Sequence, residues 1–262
     1  MIERRLVLSA LLALSLTVAV SGCGGKKRRD MQSGAEELYE RGTKSMGGGN
    51  FRNAIGYFEN LEARYPFSNQ AKQAQLDLIY CYYRNGDPEA ATDASIQFER
   101  ENPTHPRVDY ALYMRGLANF KGEKSSTQRL LRLDLSKRPP VQARESFSAF
   151  SRLIQRYPNS IYAPDARQRM IFLRNRLAEH ENYVANYYFK RGAYVAALNR
   201  AKYSLETFDG APAIAESLVI MVLSYEKLGM IDLASDTRKV LGLNYPETKV
   251  PKTRRNKRFT FF

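Results

Sequence analysis

The sequence predicts an all-α protein, a superhelix of about five helix-turn-helix pairs. Three observations carry this. Four segments share a glycine with an alanine five residues later: Gly49…Ala54, Gly86…Ala91, Gly192…Ala197 and Gly229…Ala234. Three of those alanines stand twelve residues before a proline, Pro66, Pro103 and Pro246. Between the markers, apolar residues recur at helical spacing, as in Ala54, Phe58, Leu61 and Tyr65, and strand patterns are nearly absent.

Each marker has a physical reason. A glycine ends a helix in the left-handed conformation that other residues resist. The small alanine lets the second helix of a pair approach the first. Tyr-Pro ends that second helix, because proline disfavours helical geometry at the residue before it. Ser68, Ser160 and Thr248 follow the Tyr-Pro prolines by two residues and can cap the next helix.

Taken in order, the first pair turns at Gly49 and closes at Tyr65-Pro66. The second turns at Gly86 and closes at Asn102-Pro103. The third lacks the glycine but aligns through Phe150, Leu153, Tyr157 and Pro158, which match Phe58, Leu61, Tyr65 and Pro66. It holds a polar, basic excursion over 121–140. The fourth opens with an unusually long helix, roughly Tyr162 to Arg191, turns at Gly192 and closes near 209. The fifth turns at Gly229 and closes at Tyr245-Pro246. Two of the repeat spacings are 37 residues, close to the roughly 34 of TPR units, so the array is TPR-like. Such arrays present grooves for extended peptides or partner helices.

The start of the chain reads as an address. Arg4 and Arg5 precede an apolar run, Leu6 to Val20, shorter than the roughly 20 residues that span a bilayer. Val20-Ser21-Gly22-Cys23 follows, and resembles the bacterial lipobox, in which signal peptidase recognises the small residues and the cysteine thiol takes a lipid. Gly24 at the next position, by the same resemblance, sends the lipoprotein to the outer membrane. The expected layout is a signal peptide over 1–22 and a lipidated, basic tether over 23–33. N-terminal TPR pairs on the substrate side follow over 34–105, then a middle pair with the insertion over 106–160. C-terminal partner-docking pairs cover 161–248, and 249–262 is a basic tail without fixed structure. That tail carries six Lys/Arg and no acid.

Composition narrows the function. The formal charge is +14, which favours anionic partners, yet an exported chain has no nucleic acid to meet. Cys81, in an apolar run, reads as a buried small hydrophobe. Two distant histidines, His105 and His180, give no zinc-ligand cluster. Gly47-Gly48-Gly49 is followed by Asn50-Phe51, without the lysine and hydroxyl of a phosphate loop. No nucleophile elbow occurs. The expectation is a binding protein, with no cofactor, no metal and no catalysis.

The markers also carry a specific resemblance. Arg64-Tyr65-Pro66-Phe67, Gln75 to Tyr80, Asn102-Pro103-Thr104-His105-Pro106, Arg156-Tyr157-Pro158-Asn159-Ser160 and Arg191-Gly192-Ala193-Tyr194 resemble the BamD family. These are TPR lipoproteins of the machinery that folds β-barrels into the outer membrane. The resemblance implies that the C-terminal repeats dock on a POTRA domain of the barrel subunit BamA, through Tyr187, Tyr188, Arg191 and Arg200. It implies that the N-terminal repeats receive unfolded outer-membrane proteins by their C-terminal β-signal, and it leaves room for other assembly lipoproteins as partners. A β-signal receptor needs an apolar pocket and a cation. Tyr57, Tyr80, Tyr83 and Phe98 offer the first; Arg64, Arg84 and Arg100 offer the second. The alternative is another TPR lipoprotein, a pilotin for secretin assembly or a peptidoglycan-associated envelope coordinator.

Overall fold

The computed structural model describes residues 34–123 and 135–251. The signal peptide, the Val20-Ser21-Gly22-Cys23 motif, the basic tether, most of the insertion and the basic tail lie outside them. Among the described residues there are ten α-helices, a short 3-10 turn and no strand. The described residues divide into two compact units, the first ending at Ala94 and the second beginning at Ser95. The division falls inside the fourth helix.

In the first unit, α1 (Ala35–Gly47) opens with Glu36 and Glu37, whose charges suit the positive helix start. The chain reverses through Gly49 at φ 75°. Asn50 then caps α2 (Phe51–Arg64) by accepting the Asn53 amide at 3.2 Å. Tyr65 leaves the helix before Pro66, and the Ser68 hydroxyl caps α3 (Asn69–Asn85) by accepting from the Ala71 amide at 3.1 Å. Gly86, at φ 84°, ends α3. Asp87 accepts the Ala90 amide at 3.0 Å at the start of α4 (Pro88–Glu101). Pro88, which replaces the bulky residue of the other turns, opens this helix, where a missing amide costs nothing. The core of this unit is Leu38, Ala54, Phe58, Leu61, Ala74, Leu78 and Cys81. Gly42 of α1 lies directly on the Phe58 ring, so closely that an added Cβ would sit 2.3 Å from it.

The second unit takes the end of α4 and then α5 (Val108–Glu123), α6 (Val141–Arg156), α7 (Ala163–Lys190), α8 (Tyr194–Thr207), α9 (Ile214–Lys227) and α10 (Ile231–Asn244). Neighbours in sequence pack together from α5 to α10, and α7 also touches α9. Gly116 of α5 meets Phe150 of α6 just as Gly42 meets Phe58. The excursion of the third pair returns through the 3-10 turn Leu135–Lys137 and is pinned to α7: His180 Nδ1 lies 2.7 Å from the Ser136 carbonyl, and Arg176 donates to the Arg138 carbonyl at 3.1 Å. The long helix is 28 residues, with Pro164 in its first turn. Gly192 and Gly229, at φ 80° and 76°, make the last two hairpin turns. The fourth pair closes differently, with Gly210 at φ 77° after Phe208.

One expected cap is corrected, and the helix expected after the other, Thr248, would lie outside the described residues. Ser160 does not cap α7: that helix begins after Tyr162, and the Ser160 hydroxyl instead donates to Asp109 at 2.7 Å and accepts from the Tyr162 amide. Thr248 folds back to the Tyr245 carbonyl, with no helix after it among the described residues.

Candidate functional site

The candidate docking residues sit on the α7–α8 hairpin. Tyr187 and Tyr188 lie in the last turn of α7, with their rings edge to face at 5.8 Å. Tyr187 is 46% exposed. Arg191 is the residue that ends α7, and its guanidinium lies 4.6 Å above the Tyr187 ring. An arginine held over a tyrosine in water is a pre-arranged contact: the ring orients the cation and leaves its donors free to take a carboxylate. Three of the four predicted residues therefore sit together, with Tyr187 and Arg191 exposed and Tyr188 half-buried.

Arg200 is different: its guanidinium already has a partner within the chain. Arg200 Nη1 donates to Glu181 Oε2 at 3.2 Å, while Arg144 Nη2 of α6 donates to Glu181 Oε1 at 2.8 Å. The Glu181 side chain is 1% exposed. A carboxylate that deep needs both oxygens satisfied, so Arg200 serves the joint between α6, α7 and α8. Sequence reasoning missed Glu181 and Arg144, because a buried glutamate on a long charged helix has no local signal. Beside this triad, Asn182 donates to the Ala213 carbonyl at 2.7 Å, and the Ser217 hydroxyl reaches Asn182 at 2.7 Å and Ser204 at 3.0 Å. These bonds tie α7, α8 and α9 together.

A second charged group joins α5 to α7. Arg169 grips both oxygens of Asp165, at 2.6 and 3.2 Å, and Tyr113 donates to the same carboxylate at 2.8 Å. Burial raises the Asp165 carboxyl, but the bonds from Arg169 and Tyr113 outweigh it and hold the group below its usual range. Burial, then the bond to Asp165, pushes the Tyr113 hydroxyl up to about 12. Neither group is poised for proton transfer near neutrality.

The predicted peptide-binding residues are split between the two units. Tyr57, Arg64, Tyr80, Tyr83 and Arg84 belong to the first; Phe98 and Arg100 belong to the second. Phe98 is corrected outright. It is completely buried, with its ring 5.2 Å from His105, and is core. Tyr57 is half-buried against the first unit's core, and the Arg64 guanidinium covers Tyr65 at 5.4 Å. The group that does assemble is Tyr80 and Arg84 with Phe51, which the sequence reading left out. Phe51 meets Tyr80 edge-on at 6.0 Å, Arg84 lies 4.8 Å over Phe51, and Arg84 also bonds the Tyr80 hydroxyl. Its signal was available: Phe51 is the bulky residue that follows the Gly49 turn.

Among the described residues no His, Cys, Asp and Glu group has the grouping to hold a metal, and no helix is long and apolar enough to cross a membrane. Paired helices and left-handed glycine turns define a helical-repeat protein. The family model described as YfiO: Outer membrane lipoprotein matches residues 31–241. The chain belongs to that family. It is 42% identical over 244 residues to the outer membrane protein assembly factor BamD of Neisseria meningitidis serogroup A, covering 91% of each chain. It is 38% identical over 237 residues to the Vibrio cholerae BamD, covering 90% of this chain and 97% of that one. With the Haemophilus influenzae BamD the identity is 34% over 244 residues, 93% of each.

Proposed function

We propose that this chain is an assembly factor of the outer membrane: a non-enzymatic lipoprotein scaffold that takes part in folding and inserting β-barrel outer-membrane proteins. The observation that carries this is its similarity, over about nine tenths of both chains, to proteins named for that role. In this reading Cys23 bears the lipid, Val20, Ser21 and Gly22 guide the peptidase, and the body faces the periplasm. Tyr187, Tyr188 and Arg191 dock on an acidic patch of a POTRA domain of the barrel subunit BamA. The first unit, with Tyr57, Tyr80, Tyr83, Arg64 and Arg84, receives unfolded outer-membrane proteins.

Docking through an ordered arginine–tyrosine pair is sensitive to truncation, because the partner's carboxylate loses its cation. Capture from detergent-solubilised membranes is therefore expected to recover a POTRA-bearing barrel protein. Tyr187→Ala with Arg191→Ala is expected to lower that recovery about ten-fold, roughly 1.4 kcal/mol, with helical circular dichroism unchanged. Undiminished recovery sinks the docking assignment, and recovery of a secretin instead favours the pilotin alternative.

The anchor has its own test. Changing Cys23 to Ala is expected to leave an uncleaved, unlipidated precursor that is missing from the outer-membrane fraction. Intact-mass measurement checks this; a variant with the same mature N-terminus as the parent rules the lipobox out.

A further inference from the structure

We infer that the α2–α3 turn, led by Phe67, is a second contact between this chain and a phospholipid surface, one that orients the first unit on the membrane. The inference rests on the reading that Cys23 carries a lipid. It starts from three turns with one backbone. The Ser68 amide donates to the Tyr65 carbonyl at 3.0 Å, Ser160 to Tyr157 at 3.0 Å, and Thr248 to Tyr245 at 2.9 Å. The residue after the proline is Phe67 in the first turn, Asn159 in the second and Glu247 in the third. The turn itself thus has no need of an apolar side chain there, and takes polar ones elsewhere. Phe67 is 96% exposed, more than any other large apolar side chain among the described residues.

A single exposed ring is ordinary on a protein surface; its place on the unit is what singles this one out. α1 and α2 run antiparallel, so the end of α2 returns to the start of α1. Gln70, at the head of α3, donates to Glu36 in the first turn of α1 at 2.6 Å. The Phe67 turn is therefore at the end of the unit where the chain arrives from Cys23. Gly34 follows Cys23 by only eleven positions, a reach of at most about 36–40 Å. Four residues of that stretch, Lys26 to Arg29, are basic and draw it towards anionic head groups. Of the carboxylates at this end, Glu37 is paired with the Arg41 cation, while Glu36 and Glu62 accept from the neutral amides of Gln70 and Gln75 and keep their charge. An exposed aromatic ring with an exposed arginine and lysine close by in sequence, here Arg64 and Lys72, suits the head-group layer of a bilayer. One ring alone holds a membrane poorly. On a chain already tethered the contact is intramolecular, and the high local concentration makes a weak contact sufficient.

The sequence contains no tryptophan, so Phe67→Trp creates a single emission probe. The chain from residue 24, with an N-terminal oligohistidine tag, is held on nickel-chelating lipid in vesicles of phosphatidylethanolamine and phosphatidylglycerol. This arrangement does not use natural lipidation, so a failure of the Cys23 reading appears only in the intact-mass test above. The expected result is a blue shift of the Phe67→Trp variant's emission on the vesicles, with quenching to roughly half or less by lipids brominated near the head groups. Asn159→Trp, the same position in the second unit's turn, is expected to stay solvent-like. Solvent-like emission from the probe at position 67 on the vesicles overturns the inference, as does an equal shift at position 159. A shift at position 67 that appears only when the barrel partner is added also overturns it, and makes the turn a protein contact.

Discussion

Replacing Arg144 and Arg200 together by alanine is expected to cost the fold about 3–5 kcal/mol, the range for a buried charge left without its partner. The Glu181 carboxylate is 1% exposed and takes one arginine on each oxygen. Each arginine is about half exposed, at 53% and 46%, so each single variant leaves a guanidinium able to swing between both oxygens. The singles are expected to cost about 1 kcal/mol each, within the range of single hydrogen bonds, and the double to exceed their sum. Glu181→Met reverses the situation: two half-exposed arginines turn to water and no charge stays buried. It is expected to cost less than the double arginine variant. Urea unfolding with an unchanged slope measures all four. If Glu181→Met proves the most damaging, burial of the carboxylate is not what governs this joint. The same geometry explains why Arg200→Ala is a poor docking variant: a loss of binding would not separate contact from packing.

Gly116→Ala is expected to destabilise the protein by up to about 2 kcal/mol. Two effects compete. Alanine is a better helix former than glycine by about 1 kcal/mol, but overfilling a packed core costs about 1–3 kcal/mol. The new Cβ would stand 2.3 Å from the Phe150 ring, which is fully buried. The ring must move, and packing wins. Gly42→Ala, against Phe58 in the first unit, is expected to behave alike. Gly56→Ala is the control: nothing lies within 4 Å of its Cβ position, so the propensity gain stands alone and the variant is expected to be slightly more stable. Adding Phe150→Leu to Gly116→Ala is expected to recover part of the loss. Gly116→Ala as stable as Gly56→Ala would show that this core is slack.

The hairpin scaffold was legible because its turns are punctuated by residues with strict backbone preferences. Gly49, Gly86, Gly192 and Gly229 all adopt positive φ, and Tyr65, Tyr157 and Tyr245 all end their helices ahead of proline. These are local effects, settled within a few residues. Ser160 misled because the first turn after Tyr-Pro does not always lead straight into a helix. What stayed hidden depends on partners far away in sequence. Glu181 meets Arg144 across 37 residues, and Phe98 is covered by its own unit's core. Periodicity identifies the face of a helix but not which aromatic residue on it remains open to a ligand. Gly42 and Gly116 lay between these cases. Aligning Phe150 with Phe58 marks the rings, and a glycine on the preceding helix of each pair is the complement that the alignment does not name.

Cys81 carries a consequence for the redox life of the chain. Its sulfur is wholly buried beside α2 and α3 residues of the first core, and burial, helped by the Asp77 charge, lifts the thiol to about 12. Thiol–disulfide exchange proceeds through the thiolate, which burial keeps scarce at neutral pH. In an oxidising compartment a lone reactive cysteine would be caught in mixed disulfides with other proteins. This one is silent for as long as its helices stay packed. Oxidants acquire a substrate only when the first unit opens, so disulfide-linked species of this chain would count its unfolded molecules.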